Sequence, residues 1–281
     1  MPTIERGKRR LFFEVQGNDD APALLLIMGM GFSSRAWGSL PGRLAAHYRV
    51  ITFDNRGTGR STGTGLGFGV KDLAGDAAEV LDAAGAGSAF VFGISMGGMA
   101  ALELALRHPE RVRALVLGAT FASWLKSRKP SVPVVTDLVI GGALSRAGAH
   151  GLLGHALVSM EHLRADFEGF ASWISSAERA SPRVLLQQMT AITFHAAADR
   201  LSELSMPTLI LTGDRDRLVP PENARQLAEA IPGARLVVLP GAGHCFPLER
   251  FDDTYRELTK FFETAVSSED ATERPRGRRL P

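Results

Sequence analysis

Unbroken apolar runs recur along the chain at residues 24–28, 50–53, 89–92, 114–117, 208–211 and 236–239. All are short and rich in Val, Ile, Leu or Phe. Runs of this length without polar alternation predict strands covered on both faces, as in a parallel sheet. The segments between them carry a different period. Residues 70–84 set Leu73, Ala77, Val80, Leu81 and Ala84 near helical spacing, and 96–107 and 222–231 follow the same rule. Strand and helix in alternation imply right-handed crossovers and an α/β sheet. Residues 9–16 alternate more and predict an antiparallel edge strand.

The alternation lapses between about 121 and 200. Pro130, Pro133 and Pro182 punctuate this region, 161–170 and 182–198 read as helices, and only 132–135 looks strand-like. A mostly helical insertion between two strands is the simplest reading. After 267 the chain turns polar and then basic, which predicts a disordered tail. The organisation expected is a core over 1–121, a helical cap over 122–203, the rest of the core over 204–266 and a tail over 267–281. No internal repeat is visible.

Composition narrows the partners. The 281 residues are 45% hydrophobic and 22% charged, the mix of one ordinary globular domain. Net charge is +2, but basic residues crowd both ends. Outside 1–10 and 274–281 there are 24 basic against 29 acidic side chains. No basic stripe runs through the body, so no nucleic-acid partner is expected. No apolar run approaches the roughly 18 residues of a membrane span. The stretch 21–32 follows Glu14, Asp19 and Asp20 and shows no small-residue cleavage site, so it reads as a buried strand rather than a signal peptide. Cys245 is the only cysteine, which rules out an intrachain disulfide and is compatible with the cytoplasm, the location expected here. The oligomeric state is left open.

The chemistry centres on Gly93-Ile94-Ser95-Met96-Gly97, set between the strand 89–92 and an apolar helix. A G-x-S-x-G pattern in a strand–turn–helix context is the signature of a nucleophile elbow. The glycines are needed because side chains two residues either side of the serine would collide with the sharp turn. The turn lifts Oγ to the head of a helix, where developing negative charge is favoured. The Met96 N–H is then placed as one oxyanion donor. The loop Met28-Gly29-Met30-Gly31-Phe32 brings backbone close to the elbow, with the Met30 N–H as the second donor.

An alcohol needs a base held by a third group. The elbow predicts the chain order Ser, acid, His. The strand 208–211 leads into Gly213-Asp214-Arg215-Asp216, and 236–239 leads into Pro240-Gly241-Ala242-Gly243-His244. Ser95, His244 and one of Asp214 or Asp216 therefore collect at carboxyl ends of strands, where an open α/β sheet forms its ligand crevice. The two aspartates, two residues apart, point different ways. Cys245 directly follows His244, and adjacent side chains rarely engage each other, so its thiol reads as packing. His47, His108, His150, His155, His162 and His195 show no metal-ligand spacing. No cofactor or metal is implied.

With these residues assembled, the chain resembles the α/β-hydrolase family over nearly its whole length. It is most similar to the small bacterial serine esterases, enol-lactonases and proline-iminopeptidase-like members. The resemblance rests on Met28-Gly29-Met30, the segment Asp54-Asn55-Arg56-Gly57-Thr58-Gly59-Arg60-Ser61, the elbow, His108-Pro109-Glu110-Arg111-Val112, Gly213-Asp214-Arg215-Asp216 and Gly243-His244, in that order. It implies a mostly parallel sheet flanked by helices with a helical cap, and a Gly-x-x-Asp acid that falls on Asp216. It implies a structural role for the turn 54–61. Many members have His-Gly where this chain has Met28-Gly29. The donor there is backbone, so the departure bears on substrate rather than on the oxyanion hole.

The activity this implies is hydrolysis of a small, apolar carboxylic ester or lactone through an acyl-enzyme on Ser95. Amide or aminopeptide hydrolysis, carbon–carbon bond hydrolysis and cofactor-free perhydrolysis would use the same residues. A non-catalytic small-molecule receptor is the alternative outside enzymology, and multiple turnover of an activated ester would discriminate it. Trp124, Phe167, Phe170, Trp173, Ile174, Met189 and Phe194 are candidate apolar residues of the lid. Gly29, Trp124, Trp173 and Phe194 are expected to contact substrate.

Overall fold

The computed structural model describes residues 2–65, 67–144 and 150–273. Among the described residues the sheet has eight strands, of which the apolar runs supply the last six. In chain order the strands are β1 (Thr3–Arg6), β2 (Arg9–Gln16), β3 (Ala23–Ile27), β4 (Arg49–Phe53), β5 (Ala89–Ile94), β6 (Val112–Gly118), β7 (Thr208–Gly213) and β8 (Arg235–Leu239). Their order across the sheet is β1-β2-β4-β3-β5-β6-β7-β8. β3 to β8 run parallel, while β1–β2 and β2–β4 are antiparallel. Residues 9–16 were expected at the edge. Instead β1 pairs outside them, Thr3 to Arg6 against Phe12 to Arg9.

Leu24, Leu25, Leu26 and Ile27 have no exposed surface. The two-residue period of the strands splits such runs between two cores. On one face Leu25, Ile27, Ile51, Val91, Leu115 and Ile210 pack with helices α2 (Val70–Ala83), α3 (Met96–Arg107) and α9 (Glu222–Ala230). On the other, Leu24, Leu26, Val50, Phe90, Phe92 and Leu209 pack with α1 (Leu40–Leu44), α10 (Phe246–Glu249) and α11 (Phe251–Glu273). Phe90 stacks on Phe262 of α11 at 4.7 Å between centroids. The order reverses on either side of β3 and β5, so the loops leaving their carboxyl ends face one crevice.

Between β6 and β7 the chain forms α4 (Val132–Leu144), α5 (His150–Leu157), α6 (Met160–Ala165), α7 (Phe167–Ser176) and α8 (Pro182–Thr193). Residues 132–135, strand-like in sequence, open helix α4. Their valines carry β propensity, but Pro133 in the first turn and packing against α5 decide for helix. A second difference lies at the far end. α11 continues through Glu273, so the backbone of 267–273 is helical where a disordered tail was expected. Residues 274–281 lie outside the described residues. Among the described residues no helix is long and apolar enough to cross a membrane.

Candidate functional site

Ser95 sits where β5 turns into α3, with φ 55° and ψ −122°. Positive φ is costly for a residue with a Cβ, on the order of 1–3 kcal/mol. The surroundings hold it there. Ser95 N–H donates to Gly118 O (2.8 Å), and Thr120 Oγ1 donates to Ser95 O (2.7 Å). A methyl at Gly97 would stand 2.1 Å from Ile27 O, and one at Gly93 2.2 Å from Gly97 O. Both glycines are thus dictated by the closeness of β3, β5 and the helix. The N-terminal end of α3, with its partial positive charge, begins at Met96, directly after Ser95.

The loop after β3 passes over this turn. A Cβ on Gly29 would lie 3.2 Å from Ser95 Cβ and 3.8 Å from its Oγ. Met28 O accepts from Asn55 Nδ2 (2.8 Å), which ties the loop to the turn after β4. That turn is built around Asp54. Its carboxylate accepts from Ser34 N–H and Oγ–H and from Arg60 N–H and Nε–H, at 2.7 to 2.9 Å. Burial alone would raise the Asp54 carboxyl, but these hydrogen bonds outweigh it and hold it below its ordinary value.

His244 and Asp216 stand on the loops after β8 and β7. His244 Nδ1 lies 2.9 Å from Asp216 Oδ2, and both side chains are buried. The other Asp216 oxygen accepts from Leu218 N–H (2.9 Å) and Val219 N–H (2.8 Å), so both carboxylate oxygens are occupied. Asp214 points elsewhere: its Oδ1 accepts from Gly241 N–H at 2.7 Å. The two loops are zipped together by Asp214 N–H to Leu239 O and Arg215 N–H to Ala242 O.

Ser95 and His244 line the same cavity, of about 620 Å³ counting its mouth. Met28, Gly29, Met30 and Trp173 line it as well. The remaining wall is largely apolar, with Phe32, Ile94, Leu138, Leu157 and Leu218 among its residues. Trp173 packs against Phe32 with ring centroids 5.5 Å apart and planes tilted by 35°, and its indole N–H donates to Ala36 O (3.0 Å). Two residues expected to contact substrate are elsewhere. Trp124 packs on Phe121 and the sheet core, away from the cavity. Phe194 caps the end of α8 with 80% of its surface exposed. An aromatic residue in an insertion signals burial or a surface equally, and periodicity alone does not separate them.

Several cavity-wall residues escaped the sequence reading, among them Leu138, Leu157 and Leu218, which come from segments distant along the chain and meet only in the fold. Cys245, read as packing, also lines the cavity, and burial pushes its thiol well above the ordinary range. Gln188 of α8 is fully buried and bonds to the loop after β3. It falls in register with buried Val184 and Ala191. An amide in the apolar stripe of a helix was the available signal for such a contact.

The family profile described as alpha/beta hydrolase fold matches residues 22–251. A relative in Azorhizobium caulinodans named "Putative carbamate hydrolase RutD" is 33% identical over 250 residues, covering 88% of this chain and 92% of its own. Among solved structures, the enol-lactonase from Burkholderia xenovorans LB400 superposes with TM-score 0.82 at 24% identity, covering 93% of this chain and all of that one (100%). Est816, titled as an N-acyl homoserine lactone degrading enzyme, superposes with TM-score 0.76 at 26% identity, covering 92% and 100%.

Proposed function

Because the chain belongs to the α/β-hydrolase fold family, and is a hydrolase, we propose that it cleaves a small apolar carboxylic ester or lactone with Ser95 as nucleophile. One observation carries the reading. A serine held at positive φ and an imidazole bonded to a buried, doubly anchored carboxylate open onto one apolar cavity.

In this reading Ser95 Oγ attacks the carbonyl carbon while His244 Nε2 takes its proton. Asp216 holds the imidazole in the tautomer with Nδ1 protonated and stabilises its cation. The Met96 and Met30 N–H groups receive the charge that forms on the carbonyl oxygen. Collapse of the tetrahedral intermediate breaks the bond to the leaving oxygen, which takes the proton from His244. A water, deprotonated by His244, then releases the acid and regenerates Ser95. The apolar wall supports an uncharged acyl or alkyl group, since a charge there would lose its hydration without a partner. The segment 122–203 serves as the cap over this cavity, contributing Leu138, Leu157 and Trp173 to it.

The relatives named as carbamate hydrolases favour a second reading on the same residues, attack at a carbonyl bonded to nitrogen. A panel of activated esters, lactones, amides and carbamates separates the two by relative kcat/KM. In either case a fluorophosphonate should label Ser95, and Ser95→Ala should lose several orders of magnitude in turnover while remaining folded. A folded Ser95→Ala protein with wild-type turnover would exclude the proposal.

A further inference from the structure

The loop that carries the Met30 N–H is gripped at both ends. On the sheet side Met28 O accepts from Asn55 Nδ2. On the insertion side Gly31 N–H donates to Gln188 Oε1 at 2.8 Å. Just beyond, Ala180 N–H donates to Gly31 O (2.9 Å) and Ser33 N–H to Glu178 O (2.8 Å). Only Gly29 and Met30 lie between the anchored Met28 carbonyl and the anchored Gly31 amide, so the two grips set the direction of the Met30 N–H. Gly31 itself has φ +84°, a conformation that costs a glycine nothing and leaves the loop reliant on these contacts.

Gln188 can make this contact in only one orientation. Its side chain is fully buried, and its Nε2 donates to Thr58 Oγ1 at 3.1 Å on the turn after β4. A flipped amide would set an NH₂ group against the Gly31 N–H, two donors facing each other out of reach of water. Fixing that orientation has a cost in side-chain entropy and in the burial of an amide. Gln188 does not line the cavity.

We infer that Gln188 is a positioning residue of the oxyanion site: from the insertion it fixes the Gly29–Gly31 backbone so that the Met30 N–H meets the developing oxyanion. The inference rests on the serine-hydrolase reading above. An oxyanion donor must stand about 2.7–3.1 Å from the charge it stabilises, and a misplacement of about 1 Å costs roughly 100-fold in rate.

The test compares Gln188→Met, which keeps length and loses the acceptor, with Gln188→Glu and Thr58→Val. A glutamate side chain here keeps an acceptor oxygen for the Gly31 N–H, and the Thr58 hydroxyl can either donate to it or accept from it. Thr58→Val removes only the remote bond. For each, kcat and KM are measured with an activated ester that wild type turns over. Ki is measured for a trifluoromethyl ketone of the same acyl group, which forms an oxyanion on the serine. Gln188→Met should lose roughly 10- to 100-fold in kcat with KM within about threefold, and Ki should rise in parallel with the loss in kcat/KM. Gln188→Glu should recover most of both, and Thr58→Val, which still leaves Gly31 its acceptor, should lose less than Gln188→Met.

A Gln188→Met protein whose loss lies wholly in KM, or whose Ki is unchanged, would overturn the inference and leave Gln188 a structural contact. Should Gln188→Met fail to fold by circular dichroism, Gln188→Asn retracts the acceptor by one methylene and is held to the same two criteria. Failure of the underlying reading looks different: wild type itself would then resist the fluorophosphonate at Ser95.

Discussion

Glu249 Oε2 accepts from Ser159 N–H at 2.9 Å, and its other oxygen accepts from Gly243 N–H at 2.8 Å, so one carboxylate joins the insertion to the residue before His244. Cys245 N–H, on the other side of His244, donates to Leu157 O (2.7 Å). The loop presenting His244 is thus braced by the turn between α5 and α6 rather than by the sheet alone. Gly243 is confined as well: a Cβ there would stand 2.6 Å from Ser159 N.

Glu249→Ala should therefore destabilise the protein and slow it. Two hydrogen bonds to a charged group are worth roughly 1.5–3 kcal/mol each; the partial exposure of the side chain discounts this to about 2 kcal/mol in all. Turnover should fall roughly 10-fold, in kcat more than in KM, because the imidazole is less firmly placed. Urea denaturation and ester kinetics on the same preparation check both parts. An unchanged kcat would show that the Cys245–Leu157 bond holds the loop by itself.

Asp216→Asn should be far more damaging than Asp214→Asn. An asparagine at 216 offers Nδ1 an amide that can favour the wrong imidazole tautomer, at a cost on the order of 10⁴ in turnover in the serine-protease case. An asparagine at 214 still accepts from Gly241 N–H, so its loss should stay within a few-fold. Steady-state kinetics of the two variants decide it, and the reverse ranking would reassign the acid.

Some of this site was readable along the chain and some was not, for physical reasons. Ser95 and His244 stand in short sequence patterns whose glycines are forced by close backbone approach, as at Gly93 against Gly97 O and at Gly97 against Ile27 O. The parallel strands were equally legible, since burial on both faces leaves continuous apolar runs such as 24–28. Residues 132–135 misled because propensity yields to tertiary packing. Trp124 and Phe194 misled because the sequence of an insertion does not reveal which way its helices face. Glu249 and Gln188 act through backbone amides of distant segments, and a contact to a backbone amide leaves no mark on the partner's residue type.

Cys245 should behave as an inert wall residue. Its thiol is raised well above the ordinary range by burial first, and then by the charges of Glu249 and Asp216, so thiolate is scarce near neutral pH. Iodoacetamide at pH 8 should modify the native protein much more slowly than the urea-unfolded one, as followed by intact mass. Cys245→Ala should keep kcat within about threefold. Loss of turnover by several orders of magnitude would instead make the thiol part of the chemistry.

His195 supplies a pH dependence of stability that is separate from the cavity. It follows α8 and is buried against Glu103 of α3, with Nδ1 3.6 Å from Oε1. His195 Nε2 and Glu103 Oε2 are buried without a hydrogen-bond partner. Burial, helped by the charge of Lys71, pushes the imidazole down to about 4. Burial likewise raises the Glu103 carboxyl, against the pull of Lys71, Arg200 and Arg107. The imidazole is therefore held neutral near pH 7. Between about pH 4 and the ordinary histidine value near 6.5, the unfolded chain binds a proton at His195 that the folded protein refuses. The contribution of neutral His195 is thus complete above about 6.5 and is lost as pH falls toward 4. Glu103 acts in the opposite sense, since stability is lost as pH rises through its raised folded value. The histidine is isolated by working in a Glu103→Gln background. Urea unfolding free energies of Glu103→Gln and of Glu103→Gln/His195→Gln are compared at pH 7 and 4.5. Their difference should shift by about 2–3 kcal/mol, at 1.36 kcal/mol for each pH unit separating the folded and unfolded values. The single variant should lose ground as the solution is acidified. A difference that stays constant with pH would mean that His195 accepts its proton in the folded protein as readily as in the unfolded chain.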